Sequence, residues 1–130
     1  MQGYYVPDHV SGKRLEIWSG DQRIVVDRKR TVVATAIVGD IRARAAQGMV
    51  HLLVGTKYMT MTTPVAVKVG FALTKNGGAT MYHGDMVSFE IGGEEFHLPP
   101  AVAVQLGGAL MLKADRADDW QRANPKRRLQ

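Results

Sequence analysis

Apolar and polar residues alternate through three stretches of this chain, each followed by residues with helical character. In the stretch that starts at Val50, the apolar positions are Val50, Leu52 and Val54, then Gly55-Thr56-Lys57, then Met59 and Met61. A period of two on both sides of a glycine turn predicts a hairpin with one apolar face. Thr62-Thr63-Pro64 then opens a helix, since proline is well placed in a first turn. The pattern recurs as Val87, Phe89 and Ile91, then Gly92-Gly93, then Phe96 and Leu98, then Pro99-Pro100. Aligned without gaps, Val65-Ala66-Val67, Gly70 and Ala72-Leu73 are matched by Val102-Ala103-Val104, Gly107 and Ala109-Leu110.

A third copy lies upstream. Leu15 and Ile17 precede Gly20, and Ile24 and Val26 follow it. Gly20, Gly55 and Gly92 thus recur about every 35–37 residues, a spacing typical of a supersecondary unit used several times. In this register Asp27 caps a helix that runs to Gln47, with Gly48 as its stop. The second helix ends by Asn76-Gly77-Gly78, and Ala79 to His83 forms an extra strand closed by a turn at Gly84-Asp85. The last helix is the longest, with Leu106, Leu110, Ala114, Ala117 and Trp120 in one stripe and Pro125 as its end. Gly3 to Gly12 reads as an arm or short edge strand.

The predicted fold class is α+β: an antiparallel sheet of about six to eight strands built from three ββα repeats, with the helices packed on one face. Residues 1–124 form one domain, with repeats at about 13–48, 49–78 and 86–124, and residues 125–130 form a basic tail. Gly70, Gly107 and Gly108 sit inside helices, where glycine costs about 1 kcal/mol relative to alanine. Close approach of the helix to the sheet or to a sister helix is the expected offset.

Composition narrows the function by exclusion. The chain has 130 residues with 45% hydrophobic and 22% charged, as in an ordinary folded domain. It contains no cysteine, so disulfides, thiolate nucleophiles and cysteine metal sites are ruled out. No apolar run reaches the roughly 20 residues of a membrane-spanning helix. Met1-Gln2-Gly3-Tyr4-Tyr5 lacks the basic start and apolar run of a signal peptide, and the expected location is cytoplasmic. There is no Walker loop, dinucleotide glycine fingerprint, zinc-protease helix or nucleophile elbow. Neither a cofactor nor a metal site is expected. His83, Asp85 and His97 are the dispersed residues from which an enzyme would have to be assembled.

The side chains turned away from the helices are more informative. Alternation places Glu16, Trp18, Arg23, Val25, His51, Leu53, Tyr58, Thr60, Ser88, Glu90, Glu95 and His97 there. Trp18, Val25, Leu53 and Tyr58 are a large apolar area to leave wet, and such a patch marks an interface. The leading expectation is therefore a small non-enzymatic binding or accessory protein, of the inhibitory or regulatory kind that mobile elements carry. It works as a homo-oligomer or on a protein partner through its sheet face.

The alternative is a nucleic-acid-binding regulator, suggested by a formal charge of +5. Its contacts are Arg28, Lys29 and Arg30 at the start of the first helix, Arg42 and Arg44 further along, and Lys126, Arg127 and Arg128 in the tail. Three cations in a first helical turn oppose the backbone dipole, and a bound anion relieves that repulsion. The acidic third hairpin favours the protein partner.

Overall fold

All three glycines of the repeat close hairpins, with φ of 62° at Gly20, 61° at Gly55 and 56° at Gly92. A side chain in that backbone region meets its own carbonyl, which is why glycine stands there. The structure is a computed structural model that describes residues 14–29, 40–80 and 86–124. In chain order its elements are β1 (Leu15–Ser19), β2 (Gln22–Lys29), β3 (Ile41–Ala46), β4 (Met49–Val54), β5 (Lys57–Met61), α1 (Thr63–Thr80), β6 (Met86–Ile91), β7 (Glu94–Leu98) and α2 (Pro100–Ala123).

The strands form two antiparallel sheets. The four-stranded sheet has the order β1-β2-β6-β7, and the three-stranded sheet the order β3-β4-β5. The α+β class and the hairpins agree with the sequence, whereas the single sheet does not.

The first repeat departs furthest from expectation. The helix expected from Asp27 to Gln47 is not present over its described parts. Arg28 and Lys29 continue β2, and residues 41–46 form β3. Positions 30–39 lie outside the described residues. Ile41, Ala43 and Ala45 alternate with Arg42 and Arg44, which is strand periodicity written largely in alanine, a strong helix former. Gly48 ends no helix. With Gln47 it makes the β3–β4 turn, at φ 55° and 76°, a left-handed pair that suits a two-residue hairpin. The second helix does not end at Asn76-Gly77-Gly78 but continues to Thr80, so Ala79 and Thr80 are helical rather than the start of a strand. The rest of that expected strand and the N-terminal arm lie outside the described residues.

The repeat that survives is larger than a hairpin and helix. Ala43 of β3 pairs with Leu52 of β4, and Val26 of β2 pairs with Phe89 of β6. Leu52 and Phe89 are equivalent in the sequence alignment, so β3-β4-β5 and β2-β6-β7 are the same three-stranded unit in the same register. Their hydrogen bonds agree. Gly55 N–H donates to the Asp40 carbonyl at 2.8 Å, and Gly92 N–H to the Arg23 carbonyl at 2.9 Å. Ala66 N–H donates to Thr62 and Ala103 N–H to Pro99, at 2.9 and 3.0 Å. β1 is an additional strand on the edge of one unit.

The helices are exchanged between the units. α1 follows β5 of the three-stranded sheet, yet lies chiefly against β2, β6 and β1 of the other. α2 follows β7 of the four-stranded sheet, yet lies chiefly against β3 and β4. Each helix therefore covers the sheet that the other unit built. The inner faces of both sheets and the two helices share one core, in which Phe89, Ile24, Leu52, Met61, Leu73, Ile91, Leu98 and Leu110 are fully buried. Burial of such a side chain is worth about 1.5–3 kcal/mol. Ile17 packs at the margin of the same core.

The two helices run antiparallel and touch through backbone. A Cβ built on Gly70 would stand 2.7 Å from the carbonyl oxygen of Gly107, and one built on Gly107 would stand 2.5 Å from that of Gly70. Gly77 likewise has the Pro100 carbonyl 2.8 Å from where its Cβ would be. The close approach to a sister helix is the expected offset for Gly70 and Gly107. Gly108 is different, because nothing lies within 4 Å of its Cβ position.

This contrast is measurable. Gly107→Ala gains helix propensity but forces backbone against backbone, and should destabilise the protein by about 1–3 kcal/mol in urea unfolding. Gly108→Ala should stabilise it by up to about 1 kcal/mol. Equal effects at the two positions would contradict the packing role of Gly107.

Candidate functional site

Alternation along the three-stranded sheet turns Ile41, Ala43, Val50, Leu52, Val54, Met59 and Met61 to the core. It turns Arg42, Arg44, His51, Leu53, Tyr58 and Thr60 away from it. The registers β3–β4 and β4–β5 line these outer residues up in two rows across the sheet, Arg42-Leu53-Tyr58 and Arg44-His51-Thr60. The rows span about 10 Å from the outer strand β3 to the outer strand β5.

His51 holds the aromatic end of this surface. The Tyr58 hydroxyl donates to His51 Nδ1 at 2.5 Å, and His51 Nε2–H donates to the Ala46 carbonyl at 3.3 Å. This assignment of the imidazole proton is the neutral one that satisfies both partners. The two rings are stacked, with centroids 5.9 Å apart and planes inclined by 26°. Tyr58 is thereby positioned while still 54% exposed. Leu53 is half-buried between Arg42 and Tyr58.

Arg42 pairs with Asp40 at 3.0 Å, but both side chains are mostly exposed and such a pair is weak. Among the described residues Arg44 has no ion pair. The outer face of this sheet therefore carries cations and aromatic surface, with its one acid, Asp40, at the margin.

The equivalent face of the four-stranded sheet has the opposite character. The positions of Arg42, Leu53 and Tyr58 are taken there by Val25, Glu90 and Glu95, and those of Arg44, His51 and Thr60 by Asp27, Ser88 and His97. β1 adds Glu16 and Trp18. Glu90 stands directly opposite Glu95 across the β6–β7 ladder, an unfavourable placement for like charges. Arg23 relieves it. Its guanidinium donates to Glu90 at 2.7 Å and to Glu16 at 3.3 Å. The hydrogen bond to Glu90, then its charge, hold Arg23 still more firmly protonated than an ordinary arginine. On the other side Ser88 Oγ–H donates to Glu95 at 2.7 Å, and His97 lies 3.2 Å from the same oxygen. Arg14 reaches both Glu16 and Asp27. This face neutralises its own charges.

The residues expected to form one interface are thus divided. Trp18 and Val25 belong to the four-stranded sheet, Leu53 and Tyr58 to the three-stranded one. Val25 is not available for contact, being 3% exposed, and Ser88 beside it is buried as well. Trp18 is 57% exposed. The basic residues divide too. Arg28 and Lys29 end a strand, so no helix dipole opposes them and the anion site proposed at a helix start does not exist there. Arg42 and Arg44 are brought together with Leu53 and Tyr58. Arg30, Lys126, Arg127, Arg128, His83 and Asp85 lie outside the described residues.

Sequence reasoning missed three exposed apolar residues on the helix layer, Val67 and Phe71 of α1 and Leu112 of α2. The spacing of Val67, Phe71 and Lys75 carried that signal, and Lys75 Nζ lies 5.3 Å above the Phe71 ring. Among the described residues no three His, Asp or Glu groups meet as a metal site, and no helix is long and apolar enough to cross a membrane.

No known protein family, no curated protein sequence and no solved structure matches this chain.

The charge balance around Arg23 gives a clear test. Arg23→Met leaves Glu16, Glu90 and Glu95 without their shared cation, and should lower the thermal midpoint most at low salt, where repulsion is least screened. A loss that does not shrink as salt is raised would assign Arg23 to packing instead.

Proposed function

We propose that this chain is a small non-enzymatic binding protein whose working surface is the outer face of the three-stranded sheet, and that its partner there is a nucleic acid. The observation that carries this reading is the convergence of Arg42, Arg44, His51 and Tyr58 on one open sheet face. Cations draw the phosphate backbone, and aromatic rings on a sheet suit bases. The acidic third hairpin, which by sequence speaks against a phosphate track, belongs to the other sheet. Its carboxylates are engaged by Arg23, Ser88 and His97 and do not reduce the charge of this face.

A protein partner, or a second copy of the chain, is the other reading. It draws on the exposed Trp18 and Tyr58 on the sheets and on Val67, Phe71 and Leu112 on the helices. Ionic strength separates the two. Phosphate contacts release counterions and weaken steeply with salt, whereas an apolar interface persists.

Fluorescence anisotropy with labelled oligonucleotides should show binding that falls linearly in log–log form as salt rises. Arg42→Glu combined with Arg44→Glu should lower the affinity more than about tenfold and reduce the salt slope by about 1.5, as two lost phosphate contacts require. An unchanged slope in the double variant would remove this face from the nucleic-acid reading.

A further inference from the structure

Trp18 and Tyr58 are the two large aromatic side chains that the sheets hold out into solvent, 57% and 54% exposed. They belong to different sheets, but those sheets meet at this point. Ser19 Oγ–H donates to the Thr60 carbonyl at 2.6 Å, so the end of β1 abuts β5. Trp18 is the neighbour of Ser19, and Tyr58 lies two residues from Thr60 along β5. Both follow the outward alternation of their strands. A second link, from Lys57 Nζ to Glu94 at 3.9 Å, joins the turn of the β4–β5 hairpin to that of β6–β7.

A duplex offers such rings little. Its bases are stacked on one another and its outer surface presents phosphate, which the arginines alone can serve. An unpaired base offers an open π face, and an exposed ring gains by covering it whatever the base. The row Arg42-Leu53-Tyr58 places a cation, an apolar floor and a ring in order across the sheet. Trp18 then continues the row beyond β5 at the place where β1 adjoins. Together they make a track of a length suited to a few nucleotides, in the range that small sheet domains occupy.

Resting on the reading of this face as a nucleic-acid surface, we propose that the nucleic acid is bound as a single strand. Its phosphates lie toward Arg42 and Arg44, and its bases stack on Tyr58 and, past the sheet junction, on Trp18. Trp18 becomes part of the site although its own sheet is acidic.

Trp18 also reports on its own occupancy. The chain has one other tryptophan, Trp120, and it is half-buried at the end of α2, next to Gln121, whose side-chain amide donates to the Gly48 carbonyl at 2.8 Å. Adding oligothymidylate to the full chain at low salt should quench tryptophan emission, and Trp18→Phe should abolish most of that quench while retaining binding. Trp18→Ala and Tyr58→Ala should each lower affinity for oligothymidylate by about tenfold, the loss expected for one stacked base, and leave the weaker affinity for a mixed-sequence duplex unchanged. Equal binding of single strand and duplex, or alanine variants that bind oligothymidylate as tightly as the unmodified chain, would overturn the single-strand proposal while leaving the role of Arg42 and Arg44 intact. Absence of binding to both nucleic acids at low salt, or equal displacement by polyglutamate, would instead end the nucleic-acid reading itself.

Discussion

The contact between Gly70 and Gly107 sets the geometry on which the remainder of the structure depends. Two helices that touch through carbonyl oxygens and α-carbons leave no room for side chains between them at that point, and both glycines are buried. The two positions are equivalent in the internal repeat, so the contact is reciprocal. Each glycine supplies the oxygen that the other's missing side chain leaves space for. A local cost in helix propensity at each glycine is offset by the approach of two long apolar surfaces.

That close crossing accounts for how the helices are shared. α1 and α2 each leave the hairpin that precedes them and settle on the sheet of the opposite unit, so neither unit closes a core alone. The single cluster formed by Ile24, Leu52, Leu73, Phe89 and Leu110 follows from that exchange. The far end of α2 extends the tie, because Gln121 donates to the Gly48 carbonyl in the β3–β4 turn.

Inside, the two units are alike because both must fill the same space. Outside, solvent imposes no such demand, and the equivalent positions have diverged into opposite chemistries. Arg44 corresponds to Asp27, and Tyr58 to Glu95. One face ties its charges to each other across four strands. The other leaves Arg44 and most of Tyr58 to solvent, and this difference between matched surfaces directs attention to the basic one.

The sequence by itself determined the hairpins, the turn glycines, the two long helices and the inward residues of every described strand, because alternation and left-handed glycine are local signals that survive any tertiary arrangement. It also determined that Gly70 and Gly107 need a close neighbour. It did not distinguish β3 from a helix, since Ile41-Arg42-Ala43-Arg44-Ala45-Ala46 combines strand spacing with alanine's helical preference, and a left-handed Gly48 serves a helix end and a tight turn equally well. Only the tertiary structure decided that the strands divide into two sheets, that β2 pairs with β6 across most of the chain, and that Val25 is buried while Trp18 is exposed. Those outcomes depend on which edges meet and what covers them, and pairings between distant residues leave no mark in the local pattern of either partner.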